Sequence, residues 1–265
     1  MPFKNFLAIF ILSIQSFCLT SQQIHYKVYK INFKDEIAYI GTGVGLSILS
    51  RILINNADKA TLEDLNMLDP MDIPAFDRGA IYNFSTTAQT FSDILLFTGA
   101  TLPFLTFVNK TCRSQANAIV VMAVETFFFT NAITNMAKAT AKRYRPFNYN
   151  SEVPDRIKLG SRSRFSFFSG HVSVSAAMSF FTARVLTDLR PNMKNKYLIW
   201  TTAATIPAVI SYLRYEAGKH FPTDLIAGYA VGATIGYIIP TLHLNKNIDL
   251  KIAAMGGINL SINLK

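Results

Sequence analysis

Cysteine is almost absent from this sequence of 265 residues, which contains only Cys18 and Cys112. Because Cys18 falls in a predicted targeting segment, the rest of the chain can build neither a disulfide framework nor a cysteine-based zinc site. Acidic residues are also few, with 16 against 26 lysines and arginines, which gives a formal net charge of +10. The basic residues cluster near motifs and in short loops between apolar runs, so we expect a lipid or phosphate partner rather than nucleic acid.

Internal repeats and low-complexity linkers are absent as well, and charged residues make up only 16% of the chain. The mean hydropathy of +0.25 lies between that of an ordinary soluble enzyme and that of a multi-span transporter. Apolar stretches separated by polar loops predict an all-α membrane helical bundle of about five to six helices. The predicted helical segments are residues 37–54, 94–108, 116–137, 172–186, 197–213 and 225–242.

The ends of the chain carry further predictions. A positive and then apolar start predicts a signal peptide over residues 1–21, with an N-terminal anchor as the alternative. We divide the rest into an N-terminal helical and loop region (22–91), a core (92–243) and a C-terminal tail or short hairpin (244–265). A cleaved signal leaves the N-terminus in the periplasm, so we expect residues 37–54 to pack against the bundle without crossing the membrane.

The first cationic motif contains Lys138 and Arg145. The two residues are seven positions apart, close to two helical turns, so we predict that they share one helix face and that Pro146 ends the helix directly afterwards. Lys142 and Arg143 lie between them and make this helix end densely cationic. On its own, such a segment can equally be a basic flank at the membrane surface.

A second motif, Ser169-Gly170-His171, precedes an apolar helix. Small residues in this position allow backbone N–H groups to bind an anion, and the helix dipole favours negative charge there. Ser169 adds a hydroxyl donor, and His171 can protonate a leaving oxygen. The alternative interpretation is an ordinary N-cap serine next to an incidental histidine.

The third motif lies around a turn between two apolar helices and contains Arg214, His220 and Asp224, with Pro222 suited to the first turn of the second helix. A carboxylate close to an imidazole fixes its tautomer and raises its basicity, so that the other ring nitrogen can attack phosphorus. Two of the four histidines of the chain lie in these motifs. A capping aspartate beside a solvent-exposed histidine is the alternative.

Together these motifs resemble those of the type 2 phosphatidic acid phosphatase (PAP2) superfamily, which also contains bacterial class A acid phosphatases and vanadium haloperoxidases. The first motif of that family is Lys, six residues and Arg-Pro, as in Lys138 to Pro146. Its second is Pro-Ser-Gly-His, and its third is Ser-Arg, five residues, His, three residues and Asp. Here Phe168 stands in place of the proline and Leu213 in place of the serine, two positions that carry no charge.

The resemblance implies a haloperoxidase-like helical core and a metal-independent phosphatase. It implies that His220 attacks phosphorus to form a phosphohistidine, that Asp224 orients His220, and that His171 protonates the leaving group and then activates water. The implied phosphate-binding residues are Lys138, Arg145, Ser169, Gly170 and Arg214. Because fixed cations replace the usual metal and no Asp/Glu/His cluster is visible in the sequence, we expect neither a metal nor a cofactor.

Four functions remain open at this stage. The first is a phosphatase acting on a phosphomonoester or pyrophosphate of a lipid such as phosphatidate, phosphatidylglycerophosphate, undecaprenyl pyrophosphate or a lipid A phosphate. The basic loops around Lys110 and Arg190 are expected to be cytoplasmic, which places its active site on the periplasmic face of the inner membrane. The others are a periplasmic non-specific acid phosphatase, a vanadate-dependent haloperoxidase, and a non-enzymatic transporter or scaffold with chance motifs.

Several polar residues outside the motifs are given no catalytic role. Asp77 and Asp93 are expected to cap helices or brace the active-site face. Glu125 is expected to face the interior of the bundle, since a carboxylate is costly in lipid. Arg162 and Arg164 either recruit an anionic headgroup or belong to a solvated basic loop.

Overall fold

Six long helices dominate the computed structural model, which describes residues 27–245, and they confirm the predicted all-α bundle. Within this range the only β-structure is one isolated bridge between Tyr29 and Leu244. The predicted signal peptide and residues 246–265 of the predicted tail lie outside the described residues. The long helices are α1 Phe33–Asn55, α2 Thr86–Ala100, α3 Ala116–Ala141, α4 Gly170–Leu189, α5 Lys196–Glu216 and α6 Pro222–Leu242.

Short helices fill the connections between the long ones. The α-helical ones are Leu62–Asn66, Ala75–Arg78, Leu102–Leu105, Lys110–Arg113 and Asp155–Lys158. The 3₁₀ turns are Pro70–Asp72, Gly79–Tyr82, Thr106–Val108 and Pro146–Tyr149. The prediction of one continuous helical segment over 94–108 is wrong, because α2 ends at Ala100 and the chain bends by 44° before it continues. Pro103 explains the break, since it lacks the N–H that a continuous helix requires.

Helix α4 occupies the centre of the bundle, where it is buried along most of its length and packs against α2, α3, α5 and α6. Its closest approach is to α6, through Gly228, Gly232 and Gly236. A Cβ atom built on Gly232 would lie 2.1 Å from the carbonyl oxygen of Ser173, and one on Gly236 would lie 2.2 Å from that of Ala177. Glycine at these positions therefore lets the two backbones touch, as small residues do between membrane helices.

Helix α1 packs on the outside of the bundle along α3. Its first turn contains Glu36. His243 contacts both Glu36 and Glu125 of α3, so the two glutamates lie close together. Further along, Ser47 donates a hydrogen bond to the carbonyl of Phe128 at 3.2 Å. Since residue numbers increase together along this contact, α1 and α3 run in the same direction. The start of α1 therefore lies at the end of the bundle where α3 starts.

Within residues 27–245, three helical segments are long and apolar enough to cross a membrane: Phe33–Asn55, Ala116–Tyr149 and Pro222–Leu242. The bent pair Thr86–Ala100 and Leu102–Val108 adds a fourth if it forms one span. Residues 37–54, which were predicted to pack against the bundle, thus belong to a helix that is long enough to span a membrane. Whether it crosses, and the proposed domain division, stay predictions.

Candidate active site

The end of α3 brings Lys138 and Arg145 together in a way that the sequence did not predict. The helix ends at Ala141, Lys142 adopts a left-handed conformation with φ of 43°, and Arg145 lies on extended backbone. The prediction of a shared helix face is therefore wrong. Helical geometry is unfavourable for Arg145 because it precedes Pro146, and the helix ends four residues before it, at Ala141. The two side chains converge instead on one carbonyl, that of Phe165, at 3.0 Å from Lys138 and 3.3 Å from Arg145.

Backbone carbonyl groups, rather than carboxylates, hold Arg145 in place. Its guanidinium donates to the carbonyl of Arg162 at 2.9 Å and to that of Lys219 at 3.2 Å, in addition to the bond to Phe165. A carbonyl positions a cation without cancelling its charge. Arg145 therefore keeps its full positive charge available to an incoming anion.

Helix α4 begins at the second motif, as predicted. Ser169 is the N-cap residue, is fully buried, and its hydroxyl has no hydrogen-bond partner among the described residues. Gly170 opens the helix next to Thr134 and Lys138. A buried hydroxyl without a partner at a helix N-terminus is a donor ready for an oxyanion.

His171 forms a strong contact that the sequence analysis missed. Its Nε2 atom lies 2.7 Å from Oδ1 of Asp93 on α2. The same carboxylate oxygen accepts a hydrogen bond from Arg214 at 3.2 Å. Asp93 thus connects the second and third motifs, although the only signal for it in the sequence was its position at the entrance of an apolar segment.

The third motif forms a tight turn between α5 and α6. Arg214 is buried in the last turn of α5, and its Nε atom has no partner within the described residues. Gly218 has a φ of +65°, and a Cβ there would lie 2.0 Å from the carbonyl oxygen of Asn83, so glycine is required. This turn places His220 in the interior, where it is 1% exposed.

Asp224 lies below His220 without bonding to it directly. Its Oδ2 atom is 3.7 Å from Nδ1 of His220, and that nitrogen has no hydrogen-bond partner in the part of the chain that the structure describes. Asp224 instead accepts hydrogen bonds from Ser166 at 2.5 Å, from the backbone N–H of Phe221 at 2.9 Å and from Arg143 at 2.7 Å. The carboxylate is therefore held rigidly at the base of the imidazole.

A second buried carboxylate extends this network. Asp77 accepts hydrogen bonds from Arg143 at 2.7 Å and from the hydroxyl of Thr223 at 2.6 Å. Arg143 thus bridges two buried carboxylates and also lies 4.1 Å above the ring of Phe221. Asp77 has no predicted catalytic role and Arg143 is predicted only as part of a cationic helix end, because nothing in the sequence shows that residues 77, 143 and 224 meet.

Burial and neighbouring cations determine the protonation of the site. Burial, with the charges of Arg145 and Lys138, holds the pKa of His220 well below its ordinary value. Burial and Arg214 lower the pKa of His171 to about 4, although Asp93 opposes that shift. Burial, Arg145 and Arg214 lower the pKa of Lys219 to about 8. Both imidazoles are therefore neutral at pH 7 when no anion is bound.

These side chains line a cavity of about 710 Å³. One wall is polar and contains Lys138, Arg145, Gly170, His171, Arg214, Lys219 and His220. Apolar residues of α2, α3 and α4 also line the cavity, namely Leu96, Phe97, Ala100, Phe127 and Val174, together with the polar residues Gln89, Asn131, Thr134 and Asn135. Arg162 also lines the cavity, whereas Arg164 points to the ring of Tyr144 at 5.2 Å.

The fold and the site together define a helical protein with spans of membrane length and a cationic pocket that suits a small oxyanion such as phosphate. A model of the PAP2 superfamily matches residues 117–248. The chain belongs to this superfamily.

The chain is similar to two curated relatives and to one solved structure. It is 26% identical to the lipid A 4'-phosphatase of Porphyromonas gingivalis over 144 residues, 53% of this chain and 57% of that protein. It is 30% identical to phosphatidylglycerophosphatase B of Bacillus subtilis over 100 residues, 37% of this chain and 46% of that protein. The chain thus spans about half the length of these relatives.

The solved structure is the crystal structure of a transmembrane PAP2 type phosphatidylglycerolphosphate phosphatase from Bacillus subtilis. It matches this chain with a TM-score of 0.37 and 20% sequence identity, over 79% of this chain and 96% of that one.

Proposed function

We propose that this protein is a metal-independent phosphatase that hydrolyses a phosphomonoester or pyrophosphate on a membrane lipid, through a phosphohistidine intermediate. The observation that carries the proposal is the lining of the cavity, which combines a cluster of fixed cations with apolar residues of α2, α3 and α4. Along α3 the lining extends from Lys138 to Phe127, which is about 16 Å at 1.5 Å per residue. A phosphate beside the cations therefore leaves room for the first part of an acyl chain against Leu96, Phe97 and Phe127.

The chemistry follows from the positions of the two imidazoles. The neutral His220 attacks phosphorus, the bond between phosphorus and the leaving oxygen breaks, and a phosphohistidine forms. The leaving oxygen takes a proton from His171, whose pKa rises when a phosphate anion binds next to it. Water then gives a proton to His171 and attacks the phosphohistidine, which releases phosphate and restores His220.

The cations have the largest share in stabilising the transition state. Phosphoryl transfer is mostly positioning and neutralisation of charge on the equatorial oxygens. We assign these oxygens to Lys138, Arg145 and Arg214, with the hydroxyl of Ser169 and the backbone N–H of Gly170. The rigid network around Asp224 keeps His220 aligned.

Lipid A phosphate and phosphatidylglycerophosphate are the first substrates to test, because the printed names of two relatives refer to these lipids. Phosphate release is measured in detergent with EDTA present, for these lipids, phosphatidate, undecaprenyl pyrophosphate and p-nitrophenyl phosphate. We expect release from at least one lipid, much less from the soluble ester, and none from the His220→Ala variant.

The same assay contains the outcomes that contradict the proposal. Loss of activity in EDTA at a temperature where the protein stays folded would overturn the metal-independent mechanism, and equal activity in His220→Ala would revive a non-enzymatic role. Preference for the soluble ester, together with release of the protein from membranes by carbonate, would favour a periplasmic acid phosphatase. Halide oxidation with vanadate and peroxide would indicate a haloperoxidase.

We further propose that the protein lies in the inner membrane with the pocket on the periplasmic face. The basic loops near Lys110 and Arg190 then face the cytoplasm. Because α1 runs parallel to α3, this orientation places the start of α1 on the cytoplasmic side, which conflicts with the periplasmic N-terminus expected from a cleaved signal.

Cysteine labelling in intact cells tests this orientation. In a background without Cys18 and Cys112, an impermeant maleimide should label Glu152→Cys in the loop at the pocket end. It should not label Asn192→Cys after α4 or Lys34→Cys at the start of α1. Labelling of Lys34→Cys alongside Glu152→Cys would instead place both on the outside.

A further inference from the structure

A second cluster of buried ionisable side chains lies at the end of the bundle opposite the phosphate pocket. It contains Glu36 from the first turn of α1, Glu125 from the first half of α3 and His243 directly after α6. Glu125 is fully buried, and Glu36 and His243 are each 5% exposed. One ligand atom from each residue lies within 4.8 Å of the other two. Along α3, Glu125 is thirteen residues from Lys138, about 20 Å away.

The tautomer of His243 exposes a lone pair to the two carboxylates. Its Nδ1 atom lies 2.8 Å from the carbonyl oxygen of Ile239, which can only accept a hydrogen bond. Nδ1 therefore carries a proton, and in the neutral tautomer Nε2 turns its lone pair toward Glu36 at 3.2 Å and Glu125 at 3.3 Å. Metal-binding histidines commonly use one nitrogen in this way while the other binds the metal.

Glu125 is short of partners. Neither oxygen of its carboxylate has a hydrogen-bond partner within the described residues, although the side chain is completely buried. Burying an ionised carboxylate without compensation is costly, so this group needs either a bound cation or a proton. Two carboxylates and one divalent cation make a neutral group, which removes that cost.

The two distances from His243 are compatible with the coordination of one metal ion and are long for a charge-assisted hydrogen bond. Nε2 of His243 is 3.2 Å from Oε1 of Glu36 and 3.3 Å from Oε2 of Glu125. Ligand atoms around a cation with bonds of about 2.1 Å are separated by about 3.0 Å in an octahedral site and about 3.4 Å in a tetrahedral one. By contrast, the histidine–carboxylate contact between His171 and Asp93 in this same protein is 2.7 Å.

We propose that Glu36, Glu125 and His243 bind a divalent first-row transition metal such as Zn²⁺ or Mn²⁺. Imidazole and carboxylate ligands suit these ions, and the set contains no thiolate. Such an ion joins the first turn of α1, the first half of α3 and the residue after α6, where the backbone at His243 is already fixed by a hydrogen bond from Lys30 at 2.9 Å. Its role is structural, and the proposal does not depend on the phosphatase activity.

The test is the metal content and thermal stability of the full chain, purified in detergent without a polyhistidine tag. After incubation with Zn²⁺ or Mn²⁺ and desalting, elemental analysis should find about one ion per chain for one of the two metals. The melting temperature should then exceed that of the EDTA-treated protein by about 5 °C or more. Glu36→Gln and Glu125→Gln should each lower occupancy at least tenfold.

A carboxylate at the same end of the bundle supplies the matched control. Asp188 bonds to Arg184 and Tyr29 rather than to the cluster, so Asp188→Asn should keep full occupancy. Wild-type protein without a stoichiometric metal, and with the same melting temperature in EDTA and in either metal, would overturn the proposal and leave a shared proton as the counter-charge. Because these two arms use only wild-type protein, misfolding of a variant does not affect the decision.

Discussion

The two ends of the bundle bury charges of opposite sign and satisfy them differently. At the pocket end, Lys138 and Arg145 are held by backbone carbonyls, so positive charge accumulates without being cancelled. At the opposite end, Glu36 and Glu125 face the lone pair of His243. These arrangements agree with the two proposals: the pocket end binds the phosphate of a substrate, and the opposite end holds a structural metal ion.

The buried carboxylates at the two ends also differ in how many hydrogen bonds they accept. Asp224 and Asp77 at the pocket end are saturated with hydrogen bonds from Arg143, Ser166 and Thr223. The carboxylate of Glu125 has none within the described residues. Buried acids that are fully bonded position other groups, whereas an acid without donors indicates a missing ligand. The first kind therefore belongs to the alignment of His220 and the second to a metal.

Loss of one arginine at each end tests whether only the pocket end serves catalysis. Arg214→Gln should lower kcat/KM for the lipid substrate by about 10²- to 10³-fold, because it removes a preorganised charge at the phosphate. The matched Arg184→Gln variant loses an arginine paired with Asp188 at 2.8 Å at the opposite end, and it should stay within about twofold of wild type. Similar losses in both variants would mean that the charge acts through overall stability.

Removal of Arg143 tests whether a saturated carboxylate network positions His220. Arg143→Gln should lower kcat by about 10- to 100-fold with little change in KM, since Arg143 contacts Asp224 and not the cavity. Asp77→Asn should have a similar effect, and the double variant should be no worse than the stronger single one. Arg164→Gln, near Tyr144, is the control. An effect on KM alone would assign Arg143 to substrate binding instead.

The glycines of α6 lie between the two ends of the bundle, where α6 touches α4. Substituting them tests protein stability separately from catalysis. Gly232→Ala forces a Cβ to within 2.1 Å of the carbonyl oxygen of Ser173, so α4 and α6 must separate. We expect a loss of about 1–3 kcal/mol, measured as a lower unfolding temperature in detergent. Gly41→Ala on α1, where no atom lies within 4 Å of the new Cβ, should be neutral or slightly stabilising. Equal unfolding temperatures for both variants would contradict the close helix contact.

The sequence predicted the local structure of the pocket end well, because the start of α4 at Ser169–His171 and the turn from Arg214 to Asp224 are each encoded within a few residues. Apolar length predicted five of the six long helices, whereas α2 was placed too far along the chain. The departure of Arg145 from the helix was missed because the prediction counted helical turns and did not use the rule that the residue before a proline disfavours helical geometry. The sequence could not show Asp93 or Asp77, whose partners lie more than sixty residues away.

The opposite end illustrates the limit of sequence reasoning more sharply. The expectation that no Asp/Glu/His cluster exists is wrong, because Glu36, Glu125 and His243 meet only through the packing of three helices. Glu36 and Glu125 are 89 residues apart in the sequence, and Glu125 and His243 are 118 residues apart. The interior position of Glu125 was predicted correctly, since that inference required only the cost of a carboxylate in an apolar helix.

The smallest expected effect concerns the protonation of the pocket end above neutral pH. Because the pKa of Lys219 is lowered to about 8 by burial, Arg145 and Arg214, its charge is present at pH 7 and is lost as the pH rises through 8. Since Lys219 lines the cavity, kcat/KM should fall by about two- to fivefold between pH 7 and pH 9 through a rise in KM. Lys219→Arg keeps its charge throughout this range and should remove that fall, whereas an unchanged pH profile in Lys219→Arg would assign the fall to another group.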